Sequence, residues 1–223
     1  VRRSIDSDVD NVATLLKLSK LLPSTLDIAP LLVEAKRQLH EEADYVREGE
    51  YLARFGALLT DDAAYTVPAL HPSMSGKNVL VMSYIESVAI ESTVTAPQEE
   101  RDRIMTLLIE LVLRELFEFN VMQTDPNFAN YRYDPATGKV ILLDFGASRP
   151  LPETVVDQYR NLLQMGLAGD HDGVLAAVTN MGFMNQHTAQ LNSREIKNIV
   201  ASAIDMVQRQ GPFDFGQTGF VSD

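Results

Sequence analysis

One stretch constrains this 223-residue chain more than any other, the run from Gln123 to Gly146. An irregular segment, Gln123 to Asn130, follows a long apolar-faced stretch, and Asp125 and Asn130 stand five positions apart in it. Tyr131-Arg132-Tyr133, a turn at Asp134-Pro135-Ala136-Thr137-Gly138, and Val140-Ile141-Leu142-Leu143 then read as a β-hairpin. Asp144-Phe145-Gly146 follows directly on the apolar strand. A carboxylate at the end of a buried strand is expensive to desolvate unless something pairs with it. The hairpin brings Asp144 back towards the irregular segment. Carboxylate and amide oxygens are hard ligands, suited to Mg²⁺ bound alongside phosphates. The competing reading is a capped turn at Asp125 and a plain strand end at Asp144.

Elsewhere the periodicity is mostly helical. Residues 5–22 carry Ile5, Val9, Val12, Leu15 and Leu16 on one face. Residues 31–55 repeat Leu32, Ala35, Leu39, Ala43 and Val46 at spacings of three and four, which predicts one long helix. Ala69 to Asn78 is turn-rich, and Val79 to Ile85 reads as a buried strand. Residues 98–121 predict a second long helix, with Ile104, Leu107, Leu108 and Leu111 on its apolar face. After Gly146 the chain turns helical again, with Pro152 in a first turn and a capping box at Asn192 and Glu195. Gly166, Gly169 and Gly173 read as helix-end and turn residues.

Several function classes fall away. The net charge is −12, and general nucleic-acid binding needs clustered cations. Cysteine is absent, which removes disulfides and cysteine metal sites. The four histidines are dispersed, without metal-ligand spacing. No apolar run approaches the roughly 18 to 20 residues that span a bilayer. Asp6-Ser7-Asp8-Val9-Asp10 mimics the start of a calcium loop but has Asn11 where glycine belongs and Lys17 at its end.

The order Asp-x-x-x-x-Asn, hairpin, Asp-Phe-Gly is that of the protein-kinase catalytic and metal loops. Met122-Gln123-Thr124-Asp125-Pro126-Asn127-Phe128-Ala129-Asn130 and Leu142-Leu143-Asp144-Phe145-Gly146-Ala147-Ser148-Arg149 resemble the UbiB (AarF) family of atypical kinases, which supports coenzyme Q (ubiquinone) biosynthesis. Glu42-Ala43-Asp44-Tyr45-Val46-Arg47-Glu48 resembles that family's Glu-x-Asp signature. The resemblance implies an α+β, protein-kinase-like fold. Residues 1–86 would be a partial N-lobe and residues 87–223 a helical C-lobe. It assigns Asp125 to the catalytic-loop position and Asn130 and Asp144 to Mg²⁺. Glu48 would pair with a strand lysine. Glu42 and Asp44 would bind a Lys-x-Gly-Gln motif. Met82 and Tyr84 would lie along the adenine-holding strand and hinge. ATP and Mg²⁺ are the implied cofactors. A lipid or coenzyme Q precursor, and coenzyme Q biosynthesis proteins at a membrane surface, are the implied partners, with no nucleic acid. The implied location is the bacterial cytoplasm, peripheral to the inner membrane, or the mitochondrial matrix.

The sequence departs from that family by what it lacks: no Gly- or Ala-rich phosphate loop, no Val-Ala-x-Lys strand and no Lys-x-Gly-Gln motif. The expectation is an N-terminally truncated chain, inactive alone, whose Glu42, Asp44 and Glu48 lie exposed and unpaired on one helix. Two other readings stand beside it. Small-molecule phosphotransferases of the aminoglycoside or choline kinase type share the loop Asp, the Asn and the later Asp. A pseudokinase-like binding module is the non-enzymatic reading.

Overall fold

The computed structural model describes residues 4–19, 28–125, 127–183 and 198–201, with 204, 208 and 211. By its contacts the chain forms two compact units, Val1–Pro150 and Leu151–Asp223.

In the first unit α1 (Ile5–Ser19) packs against α2 (Ala29–Glu42). The buried stripe of α1 is Ile5, Val9 and Ala13, spaced by one helical turn, whereas Val12 and Leu15 are exposed. Its buried face is therefore narrower than the periodicity predicts. Lys36 pairs with Asp10 at 2.7 Å across the two helices.

The single helix expected over 31–55 is two. α2 ends at Glu42, and α3 runs Tyr45–Leu58. The break falls at Asp44, whose side chain accepts from Arg47 N–H at 3.3 Å and so caps α3. A short acidic side chain offers the backbone this alternative to continuing a helix, which hydrophobic spacing does not register. α3 buries Gly49, Leu52 and Phe55. Gly49 permits a close approach, since a Cβ there would lie 3.3 Å from Leu80 Cδ1.

β1 (Tyr65–Thr66), β2 (Val88–Ala89), β4 (Tyr131–Asp134) and β5 (Lys139–Leu142) form one sheet in the order β1-β5-β4-β2. β4 and β5 are the predicted hairpin, with Tyr131 opposite Leu142 and Tyr133 opposite Val140. Gly138, at φ 71°, takes the left-handed turn position. β1 joins β5 in parallel. The strand expected over Val79–Ile85 does not form: the segment makes only isolated bridges, Leu70 to Met82 and Gly76 to Val79, and Val79 is exposed. An apolar run there lacks a continuous neighbouring strand to complete its hydrogen bonds.

α4 (Gln98–Arg114) buries Ile104, Leu107 and Leu111. Its continuation, Glu115–Phe119, is a π-turn that ends at Asn120 in a left-handed conformation. The expected helix thus stops early, and Val121 already belongs to β3 (Val121–Gln123). β3 pairs antiparallel with β6 (Ser148–Pro150), Gln123 opposite Ser148. The core of this unit gathers Leu52, Phe55, Tyr65, Leu111, Val121, Val140 and Phe145. Phe55 meets Phe145 at 4.9 Å and Phe119 edge-on at 6.4 Å between ring centroids.

In the second unit α5 (Glu153–Ala168) ends on Gly169 at φ 71°, and α6 (His171–Asn180) starts from Asp170, whose side chain accepts from Gly173 N–H at 2.9 Å. Gly169 is the helix-end residue foreseen, while Gly166 lies inside α5. Pro152 is the N-cap of α5, just ahead of the first turn. Val174, Val200 and Ile204 form a small core with Leu162 and Met165. The capping box at Asn192 and Glu195 lies outside the described residues.

Candidate functional site

The hairpin sets the site. β3 leads into the catalytic-type loop, and β5 leads into Asp144-Phe145-Gly146. Asn130 is buried, and its Nδ2 donates to Asp125 Oδ2 at 3.0 Å and to Asp125 O at 3.2 Å. That leaves Oδ1 as the amide's only ligand-type atom. Leu143 N–H donates to Asn130 O at 3.0 Å, tying the end of β5 to the loop. Asp144 Oδ1 accepts from Gly146 N–H at 2.9 Å, a turn that holds the carboxylate in place. Asp125 and Asp144 are both exposed. The desolvation argument for Asp144 therefore fails, because Asp144 lies two positions beyond Leu142, the last residue of β5, and reaches solvent. What remains is convergence.

Gln123 joins the two loops. Its Oε1 accepts from Asp125 N–H, and its Nε2 donates to Asp144 O at 3.3 Å. Thr124 supports the same link, with Oγ1 donating to Ala147 O at 2.7 Å. Arg47 on α3 donates to Gly146 O at 2.8 Å and to Ser148 O. The helix is thereby bolted to the segment after Asp144.

Glu48 stands on α3 beside that segment. Burial pushes its carboxyl up to about 7, the charge of Asp144 adds to the rise, and the Phe145 N–H opposes it. Two acids thus face one region. Among the described residues no group of three or more His, Cys, Asp or Glu could hold a metal ion. Mg²⁺ readily accepts one or two protein oxygens and completes its shell with phosphates and water, so the donors present fit it in that mode.

Asp44 is half-buried and caps α3, so the expectation of an exposed, unpaired carboxylate on one face with Glu48 is corrected. The side chain of Glu42 lies outside the described residues. Its neighbour Glu41 accepts from Arg149 at 3.0 Å and from Arg37. A polar cavity of about 170 Å³ opens beside Asp125, lined by Gln38, Glu41, Thr124, Gly146, Ala147 and Arg149. Met82 is half-buried against the core, whereas Tyr84 is 88% exposed. Arg47 and Gln123 stood inside the quoted motifs without a role of their own, and Glu115 was given none. Glu115 had a signal: it continues the buried Ile104, Leu107, Leu111 stripe, where a carboxylate is out of place.

The ABC1 atypical kinase-like domain family matches residues 1–178 of the chain. The mitochondrial atypical kinase COQ8 of Saccharomyces cerevisiae is 39% identical over 82% of this chain and 37% of its own length. The mitochondrial COQ8B of Danio rerio is 35% identical over 97% of this chain and 35% of its own. COQ8 of Schizosaccharomyces pombe is 36% identical over 91% and 33%. The chain spans about a third of the length of these relatives. Among solved structures, the Mycobacterium tuberculosis protein Rv3197, determined with erythromycin, shares the kinase-like fold at TM-score 0.64 and 18% identity, over 96% of this chain and 58% of that one. Among the described residues no helix is long and apolar enough to cross a membrane. With a matching profile over most of its length and COQ8 kinases as relatives, the chain belongs to the ABC1 (UbiB) family of atypical kinases.

Proposed function

We propose that the chain carries the metal-binding side of a Mg-ATP site in an atypical kinase or ATPase that serves coenzyme Q biosynthesis. The observation that carries this reading is the Asn130 to Asp125 bond at 3.0 Å together with the Gln123 link from Asp125 to Asp144. Asn130 Oδ1 and the Asp144 carboxylate would hold Mg²⁺. When bound, that ion supplies positive charge against the phosphate oxygens. Asp125, exposed and held by Asn130, would orient the acceptor hydroxyl or water and receive its proton. Glu48 would meet the strand lysine, and a cation there would lower its raised carboxyl. Glu42 and Asp44 would face a Lys-x-Gly-Gln motif, and Met82 with Tyr84 would border adenine. The lobes would divide near residues 86 and 87. A lipid or coenzyme Q precursor is the acceptor class that the relatives' role suggests, at a mitochondrial membrane surface.

The test is nucleotide binding with and without Mg²⁺. Asp144→Asn removes the Mg²⁺-dependent part of ATP-analogue affinity and leaves the melting temperature near that of wild type. Equal Mg²⁺-dependent affinity in both proteins would overturn the assignment.

A further inference from the structure

Glu115 is 2% exposed, and its Oε1 is buried without a hydrogen-bond partner among the described residues. Native interiors rarely tolerate a carboxyl in that state, because an unpaired buried polar atom keeps its desolvation cost. Nothing in the phosphate-side chemistry uses it. The residue opens the π-turn Glu115–Phe119, and such turns recur at functional positions in helices. Behind it, α4 is seated in the core by Ile104, Leu107 and Leu111, so Glu115 is rooted in the packed core of this unit.

Its other oxygen has a definite task. Glu115 Oε2 accepts from Gln123 N–H at 3.3 Å. The Gln123 amide then reaches both loops, accepting from Asp125 N–H and donating to Asp144 O. β6 borders β3, with Ser148 opposite Gln123, and Glu115 meets the Gln123 N–H. We propose that Glu115 is a positioning residue: its carboxyl fixes the Gln123 backbone and, through the Gln123 amide, sets the spacing between Asp125 and Asp144. The proposal rests on the reading of Asp125 as the proton acceptor and Asp144 as a Mg²⁺ ligand. Burial pushes the Glu115 carboxyl up to about 8 against the pull of the Gln123 N–H, in keeping with an acid held for its geometry rather than its charge.

The test uses the intact protein and reads two quantities. One is hydrogen exchange at the Gln123 and Asp125 amides, with the β5 amides of Val140 to Leu142 as the fold control. The other is kcat against the Kd for Mg-ATP. Glu115→Gln keeps an acceptor oxygen at the same reach. It retains protection and keeps kcat within about threefold of wild type. Glu115→Asp withdraws the carboxyl by one methylene. It speeds exchange at Gln123 and Asp125 by about tenfold or more and lowers kcat by a similar factor, with Kd within about threefold, because small misplacements act mainly on the chemical step. Unchanged exchange in Glu115→Asp overturns the proposal. So does changed exchange with an unchanged kcat, or Glu115→Gln behaving like Glu115→Asp. Where Glu115→Asp also exposes the β5 amides, Gln123→Ala takes its place: loss of Asp125 protection and of kcat is expected, and retention of both overturns the idea. A wild type with no Mg²⁺-dependent ATP binding would instead defeat the functional reading, while the exchange readout still judges the Glu115 bracket.

Discussion

At residue scale, the pH dependence of Glu115 has a definite sign. Its carboxyl rises from an ordinary 4.5 to about 8 on folding, first through burial, with the Gln123 N–H pulling the other way. The folded state then holds the proton more tightly than the unfolded chain. That contribution is fully present below about 4.5 and is lost as the pH rises through about 8. Glu115→Gln removes it. The stability of wild type relative to Glu115→Gln falls between pH 5.5 and 8.5, by an amount on the order of a few kcal/mol at ~1.4 per pKa unit. Denaturant unfolding at the two pH values checks this, and a flat difference would refute it. Glu48 titrates in the same direction, which is why the paired variant is needed. Asp44 gives a second residue-level expectation. As the α3 cap it is replaceable by Asn within about 0.5 kcal/mol, whereas Asp44→Ala costs about 1 kcal/mol in urea unfolding. Equal effects of the two changes would mean that capping is not what the side chain does.

At the scale of elements, α3 is the piece that couples core to site. Phe55 is fully buried and lies against Phe145, the residue between Asp144 and Gly146. Arg47, two turns earlier on the same helix, holds Gly146 O and Ser148 O and lies over the Tyr51 ring at 5.0 Å. Phe55→Ala opens a cavity under the metal-type loop and costs roughly 3 to 5 kcal/mol. Calorimetry measures the loss. On the proposed reading, nucleotide affinity of the remaining folded fraction is also expected to weaken, since the loop loses its floor. A loss below about 1 kcal/mol would mean the ring is not a core support. Arg114 plays a comparable part for β1, bonding Asp62 at 2.8 Å and Glu118 at 3.1 Å beneath the Tyr65 and Phe119 rings.

At the scale of the whole molecule, the 223 residues contain neither a phosphate loop nor a lysine strand. Oriented positioning can supply about 7 to 11 kcal/mol of a barrier. On the proposed reading, these residues alone are expected to turn over ATP at background rate, and the same residues joined to a phosphate loop and a lysine strand are expected to exceed it. Phosphate release measures both, and equal rates would remove the need for those elements. How much of this was legible beforehand depends on the range of the interactions involved. The hairpin, the apolar stripe of α4 and the order of Asp125, Asn130 and Asp144 are local patterns, because β-turn chemistry and helical period act over a few residues. The break at Asp44 is also local, yet hydrophobic spacing runs straight through it, and only the capping geometry separates α2 from α3. The failed strand at Val79 to Ile85, the Gln123 link to Asp144 and the bond from Arg47 to Gly146 depend on groups distant in the chain. Those were decided by tertiary packing, since a hydrogen bond such as Arg47 to Gly146 exists only once α3 lies against the end of the hairpin.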